Sequence, residues 1–143
     1  MYNFIQKFHS GWAYLALLLL VIAVFNSFSG WFSKREFTSK DKKIALFALI
    51  AAHLQLVIGF ILYFVSPKGL DALGSMEDSA LRLTALEHPL LNILAIVLIT
   101  IGWSRHKKAI ASDLKFKSIF VFYLLGLILI LVRIPWQAWF SIW

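Results

Sequence analysis

The sequence predicts an all-α membrane protein folded as an up-down bundle of four transmembrane helices. Of its 143 residues, 61% are hydrophobic and only 15% are charged, which is far from the composition of a soluble domain. Four apolar runs follow one another, and each has about the 20 residues that a helix needs to cross the roughly 30 Å hydrocarbon layer. The connections are short, so sequential helices should pack as antiparallel neighbours. We therefore expect one domain over residues 1–143.

The first half of the chain contains two of the predicted spans. The first span, GWAYLALLLLVIAVFNSFSGWF, covers residues 11–32. It is longer than the apolar region of a signal peptide and lacks a small-x-small cleavage motif, so we interpret it as a permanent span. The second span covers residues 44–65 and carries His53 and Gln55 near its middle. A polar side chain at that depth needs a partner in protein, a cofactor or a cavity.

The second half of the chain repeats the arrangement of span, basic loop and span. The third span covers residues 84–103 and opens with TALEHPLL, where a proline is tolerated in the first helical turn. The fourth span, SIFVFYLLGLILILVRIPW, covers residues 118–136. Tryptophans are enriched at the membrane–water interface, and five of them lie near predicted span ends. They are Trp12, Trp31, Trp103, Trp136 and Trp139.

Lysine and arginine determine the predicted orientation. The loops of residues 34–43 and 105–117 hold ten of the fourteen basic residues, and cytoplasmic loops of membrane proteins carry such an excess. We therefore place both basic loops in the cytoplasm, and the two termini and the middle loop outside. The net charge of +7 is explained by this topology and requires no nucleic-acid partner.

Three histidines and one arginine are predicted in the outer half of the bundle. Counting from the outer span ends places His9 just outside the first span, and His88 and Arg133 about one turn inside the third and fourth. His53 lies deeper, near the midplane. His106 lies among basic loop residues, where we expect it to be solvated. Each residue alone also has a structural interpretation, as an interhelical hydrogen-bonding group, a surface residue or a snorkelling arginine.

Small residues form stripes on the predicted helices beside these polar groups. Such stripes are typical of close helix contact, but they can equally leave a flat slot for a planar cofactor. The members are Ala13, Ala16, Ala23, Ser27 and Gly30 on the first helix, Ala45, Ala48, Ala52 and Gly59 on the second, and Gly126 on the fourth.

The absence of cysteine limits what could hold a cofactor. Disulfides, thiolate metal sites, iron–sulfur clusters and the attachment of a c-type haem are excluded, which leaves histidine as the natural axial donor. A neutral imidazole is a good ligand for haem iron, and basic groups nearby suit the haem propionates.

Three stretches carry a resemblance to a known type of protein. They are HSGWAYLALLLL, HLQLVIGFILYFVSP and EHPLLNILAIVLITIGWSR, and they resemble small four-span bacterial membrane proteins of the cytochrome b-like type over essentially the whole chain. This resemblance implies a b-type haem in a bacterial inner-membrane protein, with His9, His53 and His88 at the matching positions. The second span is also similar to part of one half of haem A synthase. That family has a histidine on the fourth helix, where this chain has only Arg133, so synthase chemistry is not expected.

The sequence leaves the choice of axial histidines open. By helix rise, His53 and His88 differ in depth by about 10 Å, and His9 and His88 by a similar amount. We prefer His53 with His88, because both lie within apolar spans, and keep His9 as an alternative ligand. The candidate hydrogen-bond partners that would orient the ligands are Gln55, Glu87 and Asn92.

The sequence thus predicts a membrane-embedded haem b protein, an electron carrier or redox subunit of an inner-membrane complex rather than a stand-alone enzyme. The alternative is a non-catalytic structural or assembly subunit whose histidines form only interhelical hydrogen bonds. Quinone or metal-ion handling is a third hypothesis, disfavoured because no carboxylate lies deep in a predicted span. Expected partners are the bilayer, a larger membrane complex or further copies of the chain, and a redox partner.

Overall fold

A computed structural model describes all 143 residues as a bundle of four long helices without strands. This architecture confirms the predicted fold class. The helices are α1 (Tyr2–Phe32), α2 (Ser39–Val65), α3 (Ser79–Lys108) and α4 (Ser112–Val132), followed by the short helix α5 (Trp136–Phe140), with a 3₁₀ turn at Leu70–Gly74.

The outward surface of the bundle is apolar. Each of the four long helices is long and apolar enough to cross a membrane, yet only 22–33% of their most apolar windows is buried inside the bundle. Phe25, Phe47 and Phe64 on this surface are 68%, 57% and 67% exposed. Soluble monomers rarely expose so continuous an apolar surface, so these side chains are suited to contact lipid. The chain is therefore a multi-pass membrane protein.

The helices begin earlier than the apolar runs from which they were predicted. Helix α1 starts at Tyr2, so His9 lies about two turns inside the helix rather than just outside it. Helix α3 starts at Ser79, where the Asp78 side chain caps it by accepting hydrogen bonds from the N–H groups of Ala80 and Leu81. Caps and local propensity decide where a helix begins, whereas hydropathy reports only the segment that lies in hydrocarbon.

Helix α4 ends earlier than predicted, at Val132 rather than at residue 136. Pro135 has no N–H to donate and disfavours helical backbone at the preceding residue, so the helix stops before it. Arg133, predicted about one turn inside the span, instead follows its last turn with φ −127° and ψ 26°. The Arg133 carbonyl is thereby free to accept a hydrogen bond from another helix.

Small residues bring the helices into close contact. Helix α1 packs on α2 and α4, and α3 completes the ring by packing on α4 and α2. A Cβ atom on Gly126 would lie 2.7 Å from Ile99 Cγ1 and 3.0 Å from the Ala95 carbonyl oxygen, so α3 and α4 cross where only glycine fits. The stripe residues Ala16 and Ala48 are likewise buried, at 4% and 0% exposure. Most of the predicted stripe is therefore a helix contact.

The end of the bundle that carries the loops 34–43 and 105–117, here called the basic end, is held by a buried carboxylate. Asp41 is 3% exposed and accepts hydrogen bonds from Arg35 at 2.8 and 2.9 Å, from Asn26 at 2.9 Å and from the Thr38 N–H at 2.8 Å. The Thr38 contact forms a capping box that starts α2. The hydrogen bond to Asp41 raises the pKa of the Arg35 guanidinium above its ordinary value.

The expectation that His106 is solvated is wrong. Its side chain is 1% exposed and its Nδ1 lies 2.6 Å from the Trp103 carbonyl oxygen. The ring packs against Trp103 and Phe37, with ring centroids 4.4 and 5.4 Å apart. Phe37 comes from the loop between α1 and α2 and is remote from His106 in sequence. Because the neighbours of His106 in sequence are charged, only this distant contact explains why the histidine is buried.

Candidate functional site

A cavity of about 190 Å³ lies at the end of the bundle opposite the basic end, here called the cavity end. Five small residues of α1 and α2 line it and leave the space that larger side chains would fill. They are Ser10, Ala13, Ala16, Ala52 and Gly59. Helix α5 folds over this end, where Trp139 is 6% exposed and donates a hydrogen bond to the Ser10 carbonyl at 3.1 Å.

His9 contributes one imidazole to the cavity from α1. Gln55 Nε2 donates to the His9 carbonyl oxygen at 3.0 Å and lies 3.4 Å from His9 Nε2. His9 Nδ1 and Gln55 Oε1 are both buried without a hydrogen-bond partner. A buried polar atom left unpaired costs about 1–3 kcal/mol, so two of them in one apolar cavity indicate a site for a polar ligand or a metal ion.

Gly59 of α2 makes room for this imidazole. A Cβ atom at position 59 would lie 3.1 Å from His9 Cε1 and 3.6 Å from His9 Nδ1. The first of these distances is tighter than an ordinary van der Waals contact, so a side chain here would press on the ring. The glycine predicted as part of a packing stripe is thus a neighbour of the histidine.

His88 contributes the second imidazole, from α3. Its Nδ1 lies 2.9 Å from the Arg133 carbonyl oxygen, which can only accept, so Nδ1 carries the hydrogen. The Asn92 amide donates to the His88 carbonyl at 2.6 Å and lies 3.1 Å from the same Nδ1. With Nδ1 protonated, Nε2 keeps its lone pair. A histidine held in this tautomer by a carbonyl is the usual form of a metal ligand.

The two imidazoles lie near each other in the cavity lining. Their ring centroids are 6.4 Å apart and the ring planes are nearly perpendicular, at 88°. Two metal–nitrogen bonds of roughly 2 Å each, together with half of each ring, require a centroid separation of about 6 Å. The separation of His9 and His88 therefore matches that of two ligands on opposite sides of one metal ion.

The local sequence of α3 explains how His88 is presented. Residues Leu83–Glu87 form a π-helical turn in which the His88 N–H bonds to the Leu83 carbonyl, five residues back. Pro89 has no N–H to offer the Ala85 carbonyl, and the Tyr63 hydroxyl donates to that carbonyl instead at 2.9 Å. Such π-helical turns are frequent at functional sites. Here the turn lies directly before a cavity histidine.

The charged residues of the cavity end are arranged differently from the prediction. The Glu87 carboxylate bridges Arg82 and Arg133, each at 3.1 Å. The Arg133 guanidinium is therefore paired with Glu87 and does not line the cavity. Arg133 acts on the cavity only through its carbonyl oxygen, which contacts His88. Lys68 is the cationic residue that lines the cavity. Its position after a proline in the middle loop gave no sign of this role.

His53 does not line the cavity. Its Nδ1 lies 2.7 Å from the Leu49 carbonyl oxygen and its Nε2 lies 3.2 Å from Thr100 Oγ1. Both ring nitrogens thus have partners, and the side chain links α2 to α3. The structure brings His9, His88, Gln55 and Asn92 together at the cavity and leaves the midplane histidine outside it.

Comparison with protein-family models, with curated proteins and with solved structures gave no match for this chain. The donor set itself therefore carries the argument about chemistry. No group of three or more His, Cys, Asp or Glu side chains converges to hold a bare metal ion. Two imidazoles suffice for an iron that brings four ligands of its own, which is the case in haem.

The cavity is smaller than a complete haem pocket. Typical cofactor pockets measure roughly 300–1,000 Å³, compared with about 190 Å³ here. The donor set fits haem iron, whereas the porphyrin ring would require lining side chains to move. Gln6 and Phe60 are among the lining side chains that would have to move, and Phe60 is 42% exposed.

Proposed function

We propose that this protein is a membrane-embedded haem b protein that carries electrons as a redox subunit of a larger membrane complex. The observation that carries the proposal is the pair of imidazoles of His9 and His88, with ring centroids 6.4 Å apart in one cavity. A bound haem would supply one-electron oxidation and reduction. The proposed axial pair is therefore His9 with His88.

The surrounding residues have distinct roles in this proposal. The Arg133 carbonyl fixes the ring of His88 and leaves its Nε2 free. Gln55 donates to the His9 carbonyl and so holds the backbone of α1 beside the ring. Lys68 lines the cavity and offers an ammonium group for a haem propionate. The Glu87 bridge to Arg82 and Arg133 ties the start of α3 to the end of α4 beside the ligand.

Titration of the purified protein with haemin in detergent tests the proposal. We expect one haemin to bind per cavity and to give a low-spin absorption spectrum, with sharp α and Soret bands after reduction, because two imidazoles produce a six-coordinate iron. Serum albumin at the same haemin concentration controls for non-specific uptake. A spectrum that stays that of free haemin at all ratios would contradict the proposal.

A structural or assembly role is the second candidate function, and the geometry of His53 favours it. Both of its ring nitrogens are hydrogen-bonded within the bundle, as expected of a residue that only links helices. Interhelical bonds of this kind contribute about 0.6 kcal/mol on average. This role leaves the unpaired atoms of His9 and Gln55 unexplained, which is why the haem proposal is preferred.

We also propose that the protein lies in a bacterial inner membrane with its basic end in the cytoplasm. The proposal rests on the ten basic residues of the loops 34–43 and 105–117. Because the chain has no cysteine, single-cysteine labelling has no background. Ser39→Cys and Ala111→Cys, at exposed positions of the basic end, should resist an impermeant maleimide added to intact cells.

Ser79→Cys is the matched control for this topology, because it is exposed at the cavity end. It should label readily from outside, and all three variants should label after the membrane is permeabilised. Labelling of residues 39 and 111 in intact cells, with protection of residue 79, would reverse the proposed orientation.

A further inference from the structure

A recess of about 420 Å³ opens at the basic end, between the start of α2 and the junction of α3 with α4. Three lysines line it, namely Lys42, Lys107 and Lys115, and no carboxylate does. The nearby Asp41 is already paired with Arg35. The recess therefore concentrates positive charge that no acidic side chain of its lining neutralises.

Polar groups complete the lining of the recess. His106 is 1% exposed, and its Nδ1 lies 2.6 Å from the Trp103 carbonyl oxygen, so Nδ1 carries the hydrogen and Nε2 keeps a lone pair that can accept from a ligand hydroxyl. Thr38 and Ser39 line the recess at the N-terminus of α2, where helix N–H groups favour negative charge. Of the three lysines, Lys115 is half-buried and bonded to the His106 carbonyl, while Lys42 and Lys107 are exposed around it, so positive charge surrounds the recess.

One of the three lysines is held in place by the fold. Lys115 donates to the His106 carbonyl at 3.0 Å and lies 5.8 Å from the centre of the Phe37 ring. This hydrogen bond restricts the Lys115 side chain, so less of its entropy is lost when an anion binds. Exposed Lys107 lies 6.0 Å from the centre of the Trp103 ring.

The position of the recess points to a lipid as the source of the anion. It lies at the ends of membrane-crossing helices, and the His106 ring in its lining packs on Trp103, a residue type enriched at the headgroup level. Ile110, in the loop between Lys107 and Lys115, is 96% exposed, which suits an acyl chain better than water. Basic pockets between transmembrane helices bind anionic headgroups.

We propose that this recess binds the phosphate group of an anionic phospholipid. Lys42 and Lys107 contact the phosphate oxygens, Lys115 completes the positive wall, and His106 Nε2 accepts a hydrogen bond from a hydroxyl of the headgroup. The site is independent of the haem proposal, because it lies at the other end of the bundle and shares no residue with the cavity.

Binding of defined lipids to the purified protein tests this proposal. Palmitoyl-oleoyl phosphatidylglycerol is added to the protein in neutral detergent, and native mass spectrometry measures the retained lipid. We expect one phosphatidylglycerol to be retained per chain, while phosphatidylcholine with the same acyl chains is lost. In the variant Lys42→Gln/Lys107→Gln, affinity for phosphatidylglycerol should fall roughly 30-fold. This variant keeps the structural bond of Lys115.

The matched control is Lys40→Gln/Lys108→Gln, which removes two charges from the same two helix ends but outside the recess. It should retain phosphatidylglycerol nearly as the unmodified chain does. Equal losses in the two variants would overturn the proposal in favour of general charge attraction. Displacement of phosphatidylglycerol by an equal concentration of inorganic phosphate would overturn the choice of a lipid as the ligand.

Discussion

Replacement of His88 by alanine should abolish the low-spin haem spectrum, and replacement of His9 should do the same. Each variant removes one of the two cavity imidazoles, so iron would be left five-coordinate or the site would lose haem. The measurement is the absorption spectrum of the reduced protein after titration with haemin. Added imidazole should restore the low-spin bands in both variants, because the free ligand can occupy the space left by the side chain.

His53→Ala is the matched control for these variants, since it removes the same side chain from a span without altering the cavity. Its haem spectrum should be unchanged, and the free energy of unfolding should fall by only about 0.6 kcal/mol through loss of the contact with Thr100. A low-spin spectrum that survives in His9→Ala but not in His53→Ala would instead make His53 and His88 the axial pair.

Replacement of Asp41 by alanine should cause the largest loss of stability at the basic end. The variant removes a 3% exposed acceptor that binds Arg35, Asn26 and Thr38, and with it the capping box of α2. Lost hydrogen bonds to a charged group and a lost cap together predict a decrease of about 2–3 kcal/mol in the free energy of unfolding. Titration of mixed micelles with sodium dodecyl sulfate, followed by circular dichroism, measures this change.

Asp113→Ala provides the control for the Asp41 variant, because Asp113 lies in the first turn of α4 and is exposed. Only its interaction with the helix N-terminus is lost, worth about 0.3–1 kcal/mol at the surface. If the two variants lose the same stability, the buried network around Asp41 contributes nothing beyond helix capping.

The sequence by itself determined the architecture of the protein. Four apolar runs of membrane-spanning length, separated by short polar loops, were sufficient to predict a bundle of four transmembrane helices. In hydrocarbon only helices and closed barrels satisfy the backbone, and runs of about 20 residues have the length of a helix rather than a strand. The absence of cysteine also excluded thiolate ligands and left histidine as the natural axial donor. These are local properties of the chain, which periodicity and composition report directly.

Only the tertiary structure decided which histidines meet. Counting residues gave the depth of His9 and His88 in the membrane, with a separation of about 10 Å, whereas their ring centroids lie 6.4 Å apart. Depth along an axis does not give the direction in which a side chain points around the helix. That direction depends on the π-helical turn before His88, on the Arg133 carbonyl released by Pro135, and on the absence of a side chain at Gly59. The contacts of His88 with the Arg133 carbonyl and of His9 with Gly59 join different parts of the chain, so the site exists only once the helices have packed.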